Sequence, residues 1–141
     1  MKEPNVPPLP KQTVTGNPQI PSPQPTADTG PFWQAAAESR LLLRRCRACS
    51  AFHYYPRPNC PFCSGETDWV ESTGRGEVYS FSVMRRADPP YVMAYVQLDE
   101  GVAMMTNLVD CEPARIAVGM KVRAVYRPTG DGTLVPMFAP A

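Results

Sequence analysis

Cys46, Cys49, Cys60 and Cys63 are spaced as C-x2-C, ten residues, then C-x2-C. Each C-x2-C turns its two sulfurs toward one point, and two such knuckles complete a tetrahedral thiolate shell around one Zn2+. Four protein ligands leave no position for water or substrate, so the metal is expected to fold the segment and to do no chemistry. The competing readings are two disulfides, which need an oxidising compartment, and a thioredoxin-like redox pair, which needs a βαβ setting. Neither context is visible in the sequence. Thiolate ligands and the unpaired Cys111 both suit a reducing cytoplasm.

Composition narrows the possibilities further. A chain of 141 residues allows one ordinary domain or two very small ones. Fourteen basic against thirteen acidic residues give a net charge of +1, which offers no electrostatic case for coating nucleic acid. The opening MKEPNVPPLPKQ has no apolar core of a signal peptide, and no apolar run is long enough to span a bilayer. A cytoplasmic location without membrane attachment is the expectation.

Three segments follow from the pattern. Residues 1–30 are read as a Pro-rich flexible tail: the first 31 residues carry 9 of the 18 prolines and few periodic apolar positions. Residues 31–72 are read as a short helix and a zinc ribbon. Pro31-Phe32-Trp33 opens the helix, with Phe32, Ala36 and Ala37 on one face and Trp33, Ala37 and Leu41 on another. Leu41 to Arg45 leads as a strand into the first knuckle, and the aromatics of AFHYYPRPN fill a hairpin between the knuckles. Gly65 is assigned the left-handed turn after the second knuckle. About 30 residues make no adequate core, so the metal replaces one.

Residues 73–141 switch to a period of two. Glu77–Val83 reads as a strand with Val78 and Ser80 on one face and Tyr79, Phe81 and Val83 on the other. Tyr91–Leu98, Val102–Val109, Lys121–Tyr126 and Leu134–Phe138 are further strands, with turns at Asp99-Glu100-Gly101 and Thr129–Gly132 and a short turn or helix over Ala114–Val118. The fold class is mainly β: tail and short helix, rubredoxin-like ribbon, and a small closed barrel, most economically an OB-fold.

With these motifs in order, the chain resembles the small zinc-ribbon plus OB-fold proteins encoded beside thiolases and other acyl-CoA enzymes. The matching stretches are PFW with SRLLLRRC, CRAC, YPRPNCPFCSG, WVESTGRGEVYSF, PPYVMAYVQLDEG, TNLVDCEP, VGMKV and MFAPA, covering residues 31–141. Ser50 and Ala51 depart from the family by standing where a Gly is common. The resemblance implies a non-catalytic, zinc-binding accessory subunit that docks on a thiolase-like catalytic subunit and lies close to the acyl-CoA. The alternatives it implies are a subunit of an acyltransferase, or of an aldolase or hydratase acting on CoA esters.

The residues agree that catalysis belongs elsewhere. His53 is the sole histidine and lies in the ribbon, where it is expected to be a packed or exposed hairpin residue. Cys111 sits between Asp110 and Glu112, whose charge raises a thiol pKa and blunts it as a nucleophile. For a CoA thioester or a partner surface, the candidates are Arg44, Arg45, Arg47, Arg57, Arg85 and Arg86, with Phe32 and Trp33 as partner anchors. Guanidinium forks suit phosphate and diphosphate, but such arginines can equally pair with a partner's carboxylates or simply solubilise the ribbon. Phe52, Tyr54 and Tyr55 are expected as ribbon core before adenine contacts. A rival reading is single-strand nucleic-acid binding on Tyr79, Phe81, Tyr91 and Tyr95, but no lysine stripe accompanies them.

Overall fold

The alternation of Tyr91–Leu98 explains the core of the C-terminal part. In the computed structural model, which describes residues 20–141, Val92, Ala94, Val96 and Leu98 point inward and are buried, while Tyr91, Met93, Tyr95 and Gln97 point outward. Five strands close a barrel: β4 (Arg75–Met84), β5 (Tyr91–Leu98), β6 (Ala103–Leu108), β7 (Lys121–Pro128) and β8 (Leu134–Pro140). The order around it is β4-β5-β6-β8-β7, antiparallel except where Leu108 of β6 meets Phe138 of β8 in parallel. This is the expected OB-type barrel. A 3-10 turn at Pro113–Arg115 and Gly119 at φ 87° carry the chain from β6 to β7.

Closure depends on one glycine. Gly76 faces Leu98 on β5 and Val122 on β7 at once, where the three strands crowd together. A Cβ there would lie 2.4 Å from the Gln97 carbonyl oxygen and 2.8 Å from a Val96 methyl.

The alternation expected for β4 breaks at a bulge. Val78 pairs with Val96 and Ser80 with Tyr95, so Tyr79 is the extra residue and is 66% exposed. After it the phase reverses: Phe81 and Val83 share the side of Val78, opposite Ala94 and Val92, and Ser80 turns outward. The expected pairing of Val78 with Ser80 on one face is corrected accordingly. A single inserted residue swaps the faces of all that follows.

The N-terminal part rests on the barrel. Helix α1 (Gly30–Ala37) packs Phe32, Ala35 and Ala36 against β8 and against strand β1 (Leu42–Cys46). It ends earlier than the pattern suggested, with Ser39 at φ 58°, so Ala37 is exposed and Leu41 is buried as the approach to β1. Strands β1 (Leu42–Cys46), β2 (Phe52–His53) and β3 (Thr67–Glu71) form a second sheet in the order β2-β1-β3. Of the expected tail, residues 1–19 lie outside the described residues. From Ile20 the chain is docked: the Ile20 carbonyl accepts a hydrogen bond from the Gly130 N–H at 3.3 Å, and Ser22 and Thr129 share one at 3.0 Å between hydroxyls.

Replacing Gly76 with Ala should force β4 away from β5 and cost about 1–3 kcal/mol as overpacking. Calorimetry should then show a Tm lower by several degrees, and an unchanged Tm would contradict this closure. Asp131 supplies a pH test. Hydrogen bonds from Ser22, Thr129 and Thr133 hold its carboxyl below the usual range. That stabilisation is complete above about pH 4 and is lost as pH falls toward the depressed folded value. Asp131→Asn should therefore flatten the acid limb of the stability curve, and a limb identical to the parent's would count against it.

Candidate metal centre

The two knuckles are built alike. Cys46 N–H donates to the Ala51 carbonyl (2.9 Å) and Cys60 N–H to that of Gly65 (2.8 Å), five residues on in each case. Ser50 N–H returns to the Cys46 carbonyl (3.1 Å) and Ser64 N–H to that of Cys60 (2.9 Å). Ser50 and Ser64, at φ 62° and 64°, take the left-handed position after their cysteines. The departure noted at Ser50 is therefore repeated at Ser64. Gly65, expected to make that turn, has a different reason to be glycine. A Cβ on it would lie 2.9 Å from the Cys46 sulfur, 3.3 Å from that of Cys63 and 3.2 Å from the Ala48 Cβ.

The four sulfurs lie within 4.8 Å of one another, with Cys46–Cys63 at 3.5 Å and Cys49–Cys60 at 3.6 Å. A tetrahedron of Zn–S bonds of about 2.3 Å has edges of roughly 3.8 Å, so the set fits one zinc ion. Backbone N–H groups of Ala48 and Cys49 point at the Cys46 sulfur (3.3 and 3.4 Å), and that of Phe62 at the Cys60 sulfur (3.4 Å). The Cys49 N–H, with help from Ala48, pulls the Cys46 thiol down to about 6. Against the pull of the Ala51 N–H, burial and the neighbouring sulfurs push Cys49 up to about 12. Sulfurs this crowded do not all ionise without a cation among them, and a dication supplies what the arrangement lacks. Cys46 and Cys60 are buried and Cys49 and Cys63 exposed, so the site sits at the ribbon's edge.

Around the sulfurs, the arginines fall into two groups. Asp68 on β3 holds Arg47 through three contacts of 2.7–3.0 Å, and Glu66 adds one at 2.8 Å. Arg44 lies 4.5 Å over the Trp69 ring and Arg45 5.4 Å over Phe52. The stretch that reads as uncompensated cation in sequence is thus paired across the sheet, since Arg45 stands opposite Asp68 and Arg44 opposite Trp69. Arg57 is exposed, and its backbone N–H donates to His53 Nε2 at 3.1 Å. Arg85 and Arg86 are exposed beside a cleft of about 550 Å³ after β4, without an ion pair among the described residues.

The aromatics divide similarly. Phe32 is 1% exposed and belongs to the core, so it offers no anchor to a partner. Trp33 packs edge-on against it at 4.8 Å and donates its indole N–H to the Tyr55 hydroxyl at 3.3 Å. Phe52 and Tyr54 pack on the core, as expected, whereas Tyr55 stays 42% exposed. His53 is buried and burial lowers its pKa. Cys111 lies in the core, its thiol pushed up by burial and then by Asp110. Phe62, between the second pair of cysteines, is 72% exposed and was not singled out from sequence. An apolar residue flanked by two metal ligands cannot turn inward, and that spacing was the available signal.

Comparison with known proteins now adds to this geometry. Residues 33–70 match the ChsH2 rubredoxin-like zinc ribbon domain, and residues 69–127 match the ChsH2 C-terminal OB-fold domain. The chain belongs to the ChsH2/DUF35 family. A DUF35 domain-containing scaffold protein of Methanocaldococcus jannaschii is 34% identical over 104 residues, covering 67% of this chain and 74% of that protein. A probable enoyl-CoA hydratase alpha subunit of Thermomonospora curvata is 38% identical over 128 residues. Those residues are 86% of this chain but 40% of the length of that relative. Among solved structures, a chain of an Ltp2-ChsH2(DUF35) aldolase superposes with a TM-score of 0.74 at 35% identity, covering 84% of this chain and 98% of that one. The M. jannaschii relative is described as a scaffold protein, and the T. curvata relative as a subunit of an enzyme acting on enoyl-CoA. Among the described residues, no helix is long and apolar enough to cross a membrane.

Chelation at neutral pH should release one zinc per chain and unfold the ribbon, because a structural zinc contributes on the order of 10 kcal/mol to such a segment. Far-UV circular dichroism and elemental analysis would check this, and a ribbon that kept its fold without metal would contradict it. Gly65→Ala should weaken zinc retention against a chelator at least tenfold, and parental retention would show that the sulfurs tolerate the added methyl.

Proposed function

We propose that this chain is a non-catalytic accessory subunit of a cytoplasmic CoA-ester enzyme, with a thiolase-like catalytic subunit bringing the reacting groups. The observation that carries this reading is the likeness to the ChsH2(DUF35) component of a two-component aldolase over 98% of that component's length. That likeness favours carbon–carbon cleavage, or the hydration named for the related alpha subunits, over acyl transfer. The zinc, held by four cysteines, gives the ribbon a rigid shape, and exposed Phe62 and Tyr55 are its apolar contacts toward a partner.

Of the six candidate arginines, Arg57, Arg85 and Arg86 have neither an ion pair nor an aromatic face among the described residues, and CoA contact is assigned to the adjacent pair beside the cleft. Arg47 is committed to Asp68 and Glu66, and Arg44 and Arg45 to aromatic faces. Two guanidinium groups without an acidic partner among the described residues suit the 3′-phosphate or diphosphate of a CoA thioester. Neither His53 nor Cys111 supplies an activated nucleophile, because one is held by the Arg57 backbone and the other is buried with a raised pKa.

The test is reconstitution. The purified chain should show no turnover of CoA esters by itself, and adding its catalytic subunit should raise that subunit's activity at least tenfold. Turnover by the isolated chain would overturn the reading. Charge reversal at Arg85 and Arg86 should raise KM for the CoA ester by about tenfold or more with little change in kcat, as expected for lost charged hydrogen bonds. An unchanged KM would remove these two residues from the CoA site.

A further inference from the structure

The outward face of β4, β5 and β6 is uncharged over three successive rows, next to a row of Glu77, Gln97 and Ala103 in which Glu77 pairs with Lys121. Cross-strand register sets Ser80, Tyr95 and Met105 in one row, Ser82, Met93 and Asn107 in the next, and Met84 beside Tyr91 in a third. The bulge adds Tyr79. None of these residues is charged. Tyr79, Met84, Tyr91, Met93, Tyr95 and Met105 are each between 37% and 66% exposed. Together they present on the order of 500 Å² of surface, comparable to the largest patch of a typical monomer, which is often functional.

We propose that this sheet face is the main seat of the catalytic subunit of the CoA-ester enzyme, in addition to the ribbon contacts at Phe62 and Tyr55. The inference rests on the accessory-subunit reading and adds the location of the contact. Three observations select the occupant. The two ends of the face differ in charge: Arg85 and Arg86 follow β4 at one end, while at the other Asp99 lies beside Arg75 and Lys121 and the Glu100 carboxylate accepts from the Thr73 N–H. A partner must therefore present an apolar patch, with the Arg85–Arg86 end facing the anionic CoA ester that the two chains share. The area is the second. On the order of 500 Å² is less than the roughly 800 Å² per side of a standard interface, so a second copy stacked here alone would make a weak dimer. A larger partner can continue past the rows onto the cleft lined by Phe81 through Arg86. The third is residue type. Tyrosine and methionine are the residues enriched at the centres of protein interfaces, and methionine adapts to irregular surfaces. Nucleic acid would need cations along the rows, and the rows have none.

Methionine oxidation reads this face directly, because Met93 and Met105 are on it while Met104, 1% exposed, and Met137, 5% exposed, are interior controls. The full chain and its assembly with the catalytic subunit would each be treated with dilute peroxide and digested for mass spectrometry. In the isolated chain Met93 and Met105 should oxidise at least tenfold faster than Met104, and in the assembly their rates should fall at least tenfold. Tyr95→Lys should weaken assembly by about thirtyfold or more, as for a central interface residue, with zinc content unchanged. Unprotected Met93 and Met105 in an intact assembly would overturn the inference and leave the accessory-subunit reading standing. Protection of the isolated chain would also overturn it: if concentration-dependent, the occupant is a second copy, and if not, the chain's own residues 1–19. Salt-sensitive protection by an oligonucleotide would overturn it in favour of nucleic acid. Failure of any catalytic subunit to bind would overturn both readings together.

Discussion

Four sulfurs held within 4.8 Å of one another are the constraint on which the N-terminal part of this protein depends. The ribbon's strands are short, with β2 only two residues long, and cannot bury the surface that a metal-free fold of this size would need. A dication among crowded thiols removes their repulsion and fixes both knuckles in one step. The rest of the ribbon is arranged to serve that point. Ser50 and Ser64 turn the chain back, backbone N–H groups face the sulfurs, and Gly65 lacks the methyl that would strike them.

The barrel is stabilised differently, by burial and closure. Val78, Val92, Val96, Leu98, Met104, Leu108, Val122 and Phe138 are all nearly inaccessible, and each fully buried side chain of this size contributes roughly 1.5–3 kcal/mol. Helix α1 joins the two parts by placing Phe32 in the common core. The ribbon and the barrel thus share one apolar core that includes Phe32, Leu41 and Leu43. The outer surface carries the features that nothing inside the chain requires: Phe62, the Arg85–Arg86 pair and the uncharged rows of β4–β6.

The zinc ligands and the barrel strands were legible in sequence because each follows from spacing. Alternation located β5 and β6 nearly to the residue, and Gly101 at φ 89° makes the turn read from Asp99-Glu100-Gly101. The bulge at Tyr79 was not legible, since an extra residue in one strand becomes evident only beside its partner. The arginines failed for the same reason. Their apparent isolation from acids ended when β3 brought Asp68 and Trp69 alongside, with Glu66 just before it. Gly65 was recognised as special but for the wrong cause, because closeness to sulfur on another knuckle is a tertiary property. The uncharged rows with their outward methionines are a property of cross-strand register, which no single strand displays.

The central claim is that the metal shapes the subunit and takes no part in the reaction. X-ray absorption at the zinc edge of the purified chain, alone and in its assembly with CoA ester bound, addresses it most directly. The account predicts four sulfur neighbours at about 2.3 Å in every state and no nitrogen or oxygen neighbour. A sulfur replaced by an oxygen ligand when the CoA ester binds would contradict it.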